Sequence, residues 1–179
     1  MKRGVYLVMA AQALSSLADN ALFIAAIALI MELSGPDWMA PMMKWSFALA
    51  YVVLAAFVGA FADSFPKGRV MFVTNALKVA GCLLMFSYAS LGIPASYQTY
   101  LVCVAYGLVG VGAAAYSPAK YGIVTEMLPP KLLVKGNSWI EGLTVLSIIV
   151  GTVLGGALIS PAVSDLLLHH PHLNKLVHT

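Results

Sequence analysis

Asp19 is the residue in this sequence that most demands a partner. It stands fourteen positions after Val5 in an apolar run, and Gln12, Ser15, Ser16 and Asn20 join it at spacings of three, four and seven, which places all five on one helical face. A charged side chain near the centre of a bilayer costs on the order of 3 kcal/mol on insertion scales, so it needs a counter-charge or a wet cavity. Two further polar sets recur at helical spacing. Asn75 and Lys78 are three apart, and Asn137, Glu141, Thr144 and Ser147 follow at four, three and three. Lys120 lies just beyond another apolar run. Carboxylates such as Asp19 and Glu141 suit an ammonium, and lysines such as Lys78 or Lys120 suit a phosphate. Each has a plainer reading: Lys78 can snorkel to the near surface, and Glu141 can be a helix-start carboxylate favoured by the macrodipole. The hydroxyls that continue the face of Glu141 favour a cavity lining.

These stripes matter only if membrane helices carry them, and the composition requires such helices. Of 179 residues, 61% are hydrophobic and 9% charged, with a mean hydropathy of +0.90. A soluble domain carries about 25% charged residues. The chain therefore cannot cover itself in water, which excludes a soluble enzyme, a nucleic-acid-binding domain, a secreted disulfide scaffold and a disordered segment. The net charge of +3 comes from dispersed basic residues that form no nucleic-acid patch. Cys82 and Cys103 lie inside apolar runs and read as small buried hydrophobes, with no disulfide or metal implied.

A hydrocarbon core of about 30 Å needs roughly 20 apolar residues. Five runs qualify, at about 5–33, 45–62, 70–92, 98–117 and 138–160. They are separated by Gly35-Pro36, Pro66-Lys67-Gly68, Gly92-Ile93-Pro94 and Pro129-Pro130, and Pro161 follows the last. Met1-Lys2-Arg3 resembles the start of a signal peptide, but the run behind it is too long and contains Asp19-Asn20, so a retained helix is expected. Lys2, Arg3, Lys67, Arg69, Lys120, Lys131 and Lys135 gather on one side and Lys44 and Lys175 on the other, which puts the N-terminus in the cytoplasm. The expected fold is an all-α membrane bundle spanning residues 1–160, with glycines of the fourth and fifth helices (Gly107, Gly110, Gly112, Gly151, Gly155, Gly156) marking close approach. Residues 161–179 are expected to be a periplasmic tail that stops before a sixth helix. Its His169, His170 and His172 read as interfacial loop, with a metal site as the alternative. A complete five-helix protein is the alternative to a partial one.

The junction of the second and third spans reads Gly59-Ala-Phe-Ala-Asp63-Ser-Phe-Pro-Lys67-Gly68-Arg69, which resembles the signature between helices two and three of the major facilitator superfamily, although its second glycine follows the aspartate by five positions rather than about three. Together with Leu17-Ala18-Asp19-Asn20-Ala21-Leu22 and the stretch from Gly110 to Gly122, it resembles the bacterial lysophospholipid transporters of that superfamily over about residues 8–160. The resemblance implies twelve helices in two six-helix halves, of which this chain would be most of the first, with the C-terminal half of the same transporter as its partner. It further implies movement of lysophospholipid, chiefly lysophosphatidylethanolamine, from the outer to the inner leaflet of the bacterial inner membrane. There a cytoplasmic acyltransferase/acyl-carrier-protein synthetase would reacylate it. The protein would be a transporter and not an enzyme, with no cofactor. By resemblance Asp19, Asn75 and Glu141 fall at polar cavity positions and Lys120 at the cytoplasmic end of helix four.

Within that frame Asp19, Asn20, Asn75, Lys78, Lys120 and Glu141 are the candidate substrate-binding residues, and Phe23, Phe72, Met85 and Phe86 are either walls for an acyl chain or ordinary packing. Gly59, Asp63, Gly68 and Arg69 are the candidate latch, with interfacial charges obeying the positive-inside rule as the alternative. The rival function is a proton-coupled exporter of drugs or small amphiphilic solutes. Its fifth-helix glycine pattern is met by Gly142, Gly151 and Gly155 but broken at Gly156 and at Ile159-Ser160. A membrane-embedded phosphotransferase would need carboxylates clustered for metal, and the seven here are isolated. A non-transporting scaffold would leave the burial of Asp19 without a purpose.

Overall fold

The computed structural model describes residues 3–88 and 90–160, with the side chains at 55, 56, 58, 60–63 and 95 outside the description. The tail with His169, His170 and His172 and the side chain of Asp63 thus lie outside the described residues. The described residues are all α, with five helices among them in the order α1 (Arg3–Glu32), α2 (Met39–Ser64), α3 (Lys67–Phe86), α4 (Ala95–Met127) and α5 (Pro130–Ile159). Among the described residues α1, α3, α4 and α5 each hold a stretch long and apolar enough to cross a membrane, and Met39–Leu54 of α2 is a shorter apolar helix. The 26 residues of α2 as a whole reach roughly 39 Å, more than a hydrocarbon core requires. Exposed Trp38, Trp45, Tyr97 and Tyr100 cluster where α2 and α4 begin, as aromatic side chains do at a membrane interface.

Helix boundaries follow backbone chemistry where it departs from hydropathy. The fourth helix does not stop at 117: α4 continues through Pro118 to Met127. A proline removes one backbone hydrogen bond, and neighbouring membrane helices tolerate the loss. Lys120 consequently sits on a helix wall and not at a helix end. The fifth helix begins at Pro130 and not near 138, because proline at the first helical position forfeits only a donor that would be unpaired there anyway. In the other direction α3 ends at Phe86, short of 92, and the chain turns through Gly92 at φ 62°, a left-handed conformation that glycine adopts without strain.

The helices do not pack evenly. α1 lies along α5, while α2 and α3 both lie along α4, and α1 meets α3 at few places. Glycines set the closest seams. A Cβ on Gly151 would fall 2.5 Å from the Leu17 carbonyl oxygen, and one on Gly155 3.0 Å from Ala21 Cα, so the α5 backbone rests directly on α1. Between α3 and α4, a Cβ on Gly81 or Gly112 would come within 2.9 Å of the Ala105 or Thr74 carbonyl oxygen. Gly107 and Gly156, also expected at close approaches, face open space. Apolar clusters fill the two ends of the bundle. Ile30, Met39, Met43, Met85 and Val102 pack at one end, and Val5, Met9, Val124 and Ile140 at the other. A polar layer lies between them.

Candidate functional site

That layer is built on the stripe of α1. Gln12 is 4% exposed, and Ser15, Ser16, Asp19 and Asn20 are half-buried, so the face turns into the bundle. Across the sparse seam from α1, Lys78 of α3 reaches Asp19, with Nζ 2.6 Å from Oδ2. The same ammonium donates to Ser15 Oγ at 2.8 Å, and Ser15 donates to Asn75 Oδ1 at 3.1 Å. Lys78 therefore does not snorkel. Gly112 lets it lie flat, since a Cβ there would meet Lys78 Cγ at 2.9 Å. Four polar side chains thus bridge α1 and α3 where apolar contact is scarce. Removing one charge of such a pair leaves the other uncompensated, at a cost of about 3–5 kcal/mol.

A second ionic group lies nearer the end where α4 finishes and α5 starts. Lys120 is buried, with Nζ 3.8 Å from Glu141 Oε1, while the Glu141 side chain is 52% exposed. The Tyr121 hydroxyl donates to that carboxylate, and the Lys120 ammonium stands 4.4 Å from the Tyr121 ring centroid. At the same end Lys67 of α3 pairs with Glu126 of α4 at 2.5 Å. Gly68 and Arg69 are exposed there, and Gly59 lies on α2 with open space around it.

Three cavities adjoin the layer, and Asp19 lines each of them. A cleft of about 610 Å³ runs between α1, α3 and the end of α5, with Ser15, Asp19, Asn75 and Lys78 as its polar patch and Leu22, Phe86 and Ile159 among its apolar walls. On the opposite side of Asp19 a cavity of about 500 Å³ is lined by Asn20, Lys44, Tyr51, Tyr106 and Thr152. A smaller one of about 90 Å³ lies among Gln12, Lys78, Tyr116 and Lys120.

The three cavity residues implied by the resemblance, Asp19, Asn75 and Glu141, do not line one cavity together among the described residues. Asp19 and Asn75 share the large cleft, whereas Glu141 is absent from the lining of all three. Geometry explains this: at about 100° per residue, Glu141 and Ser147 stand roughly 120° apart around α5. Ser147 is buried and Thr144 accepts from Gln12 Nε2 at 3.3 Å, but Asn137 and Glu141 are exposed. Asn20 donates to its own helix at Ser16 O, 2.8 Å away, and still lines the 500 Å³ cavity. Of the four apolar candidates, Met85 is fully buried in a core cluster and Phe23 packs against it, Phe72 points outward, and Phe86 lines the large cleft. Lys44, Tyr51, Tyr106 and Tyr116 line the polar cavities without having been expected there. Tyrosines carry a hydroxyl on an apolar body, so periodicity counts them with the core.

The chain is 48% identical over 158 residues to "Lysophospholipid transporter LplT" of Yersinia enterocolitica serotype O:8 / biotype 1B, covering 88% of this chain and 36% of that protein. It is 46% identical over the same length to the proteins of that name from Serratia proteamaculans (strain 568) and Yersinia pestis (strain Pestoides F). Both alignments again cover 88% of this chain, and 37% and 36% of those proteins. The chain thus spans about a third of the length of these relatives. No solved structure matches it. Residues 8–163 match the Major Facilitator Superfamily, and with five helices of membrane-protein composition among the described residues, ordered around a buried ion pair, the chain is a multi-pass membrane protein belonging to the major facilitator superfamily.

Proposed function

We propose that this chain forms part of a lysophospholipid transporter that moves lysophosphatidylethanolamine from the outer to the inner leaflet of the bacterial inner membrane, with its N-terminus in the cytoplasm. The observation that carries the reading is the Asp19–Lys78 pair, 2.6 Å apart inside the bundle, with both residues lining two cavities and Asp19 a third. A zwitterionic headgroup can exchange with such a pair at no cost in net charge: its ammonium takes Asp19, its phosphate takes the lysine side, and no ion is left uncompensated in low dielectric. The relatives named for lysophospholipid transport support the substrate class. The gathering of Lys67, Arg69, Lys131 and Lys135 at one end of the bundle supports the orientation. Asn20, Asn75, Lys120 and Glu141 complete the proposed binding set, Glu141 as the counter-charge of Lys120. Alternating access needs a second bundle to move against, which the C-terminal half of the same transporter supplies. A cytoplasmic acyltransferase/acyl-carrier-protein synthetase consumes the lipid delivered.

Flipping of labelled lysophosphatidylethanolamine by the full-length protein in vesicles tests the proposal. Because the lipid runs down its own gradient, drawn by reacylation, the rate should be the same with and without an imposed proton gradient. A rate that collapses when the gradient is dissipated favours the proton-coupled exporter instead.

We also propose that Gly59, Asp63, Gly68 and Arg69 form a latch at the cytoplasmic mouth that favours the outward-open state, with Asp63 accepting from the amides of a facing helix start. Asp63→Asn in the full-length protein should shift cysteine accessibility toward the inward-open state. An unchanged accessibility pattern removes the latch role.

A further inference from the structure

The smallest cavity has a lining that the Asp19–Lys78 pair does not explain. Lys120 is 5% exposed and Gln12 and Tyr116 are each 4% exposed. Yet Gln12 Oε1 and the Tyr116 hydroxyl have no hydrogen-bond partner among the described residues. Buried polar atoms in native proteins are nearly always paired, so two such atoms on one cavity wall point to a ligand between them.

Charge gives the ligand its sign. The charged side chains around this cavity are Asp19, Lys78 and Lys120, two cations to one carboxylate. Asp19 matches Lys78 closely, whereas Lys120 faces Glu141 only at 3.8 Å, across to a half-exposed carboxylate that Tyr121 also holds. The rings of Tyr116 and Tyr121 lie 5.1 Å and 4.4 Å from the two ammonium groups, which steadies the cations without cancelling them. A surplus positive charge away from water favours an anion. The volume, about 90 Å³, holds one tetrahedral phosphate group or several waters.

Gln12 narrows the choice further. Its amide nitrogen already donates to Ser16 Oγ at 3.1 Å and Thr144 Oγ1 at 3.3 Å, so only an acceptor is left. An anion alone would not satisfy it, but a headgroup carrying both a phosphate and an ammonium would. We infer that this cavity is the phosphate subsite of a zwitterionic amphiphile: Lys120 and the Tyr116 hydroxyl donate to the phosphodiester oxygens, and Gln12 Oε1 accepts from the ammonium. The inference rests on the lysophospholipid reading and assigns Tyr116 and Gln12 a part in it.

The test is equilibrium binding to the full-length protein in nanodiscs with three single-chain probes of equal length: lysophosphatidylethanolamine, an alkyl phosphate and an alkylammonium. Lys120→Gln should weaken both phosphate-bearing probes about tenfold or more, Tyr116→Phe should weaken them severalfold, and the alkylammonium should be unaffected by either. Tyr116→Phe keeps the ring and its packing, so it carries the test if Lys120→Gln fails to fold. Lys120→Arg should recover part of the loss. Equal losses for all three probes, or undiminished alkyl phosphate binding in both variants, overturn the subsite. If the wild-type protein ignores lysophosphatidylethanolamine but binds alkyl phosphate through Lys120 and Tyr116, the substrate assignment fails and the subsite stands. If it binds neither phosphate probe, the subsite falls as well.

Discussion

Asp19→Asn in the full-length protein should abolish movement of lysophosphatidylethanolamine, while Asp19→Glu should retain part of it. Asparagine keeps the hydrogen bonding and loses the charge that meets an ammonium. It also strands Lys78, whose ammonium is 2.6 Å from the carboxylate, and an uncompensated buried cation costs about 3–5 kcal/mol. Both losses stop transport, so the single variant cannot separate a binding role from a structural one. The double variant Asp19→Asn with Lys78→Met can. It removes both charges together, and replacing a buried pair by groups of similar volume is often close to neutral for stability. The expected result is a protein that unfolds near the wild-type temperature and still moves no lipid. Wild-type flipping by the double variant would show that Asp19 serves only to balance Lys78, and the binding role would have to be abandoned.

The second large effect is on folding. Gly151→Val places a branched side chain where even a Cβ would stand 2.5 Å from the Leu17 carbonyl oxygen, a backbone atom that cannot turn aside. α5 must then lift from α1 along the seam that carries most of the α1 packing. Overpacking of this kind costs about 1–3 kcal/mol, and more where backbone is the obstacle. Lifting α5 also parts Gln12 from Thr144, so flipping should be lost with stability. Gly156→Val lies five residues along the same helix where a Cβ meets nothing within 4 Å, and it should be neutral in both assays. The comparison is read from thermal unfolding of the two proteins in detergent. Equal melting temperatures would mean that the α1–α5 seam is looser than its glycines indicate.

The polar stripe of α1 was legible because two independent signals coincide in it: a helical repeat, and a cost of burial that forbids idle charge. Lys78 was legible as a polar position, but its partner was not. Fifty-nine residues separate it from Asp19, and only the placement of α3 beside α1 decides between pairing and snorkelling. Glu141 is a different case. Its repeat with Thr144 and Ser147 suggested one face, yet spacings of three drift around a helix of 3.6 residues per turn, so the stripe leaves the interior at Glu141. The apolar run of α4 ends near 117, but the helix continues through Pro118 to Met127 in a bundle that supports it from both sides, which hydropathy does not show. Tyr116 gave no signal beyond its place in a family-like stretch, since nothing in a sequence shows that a phenol in the core lacks a partner.

The distance in sequence between Asp19 and Lys78 also sets a timetable for biogenesis. α1 leaves the ribosome before α3 and meets the lipid with its carboxylate alone, at an insertion cost of about 2.5–3.5 kcal/mol that its apolar residues must outweigh. At roughly 5–20 residues per second, the fifty-nine residues to Lys78 take several seconds to be made. For that interval α1 is a helix with an unmet charge, liable to slip back or to shelter in the translocon, since Lys44 of α2 shares the 500 Å³ cavity with Asp19 while the ion pair is made by Lys78. Its settlement in the bilayer is complete only when α3 arrives, so α1 is finished by a helix made well after it.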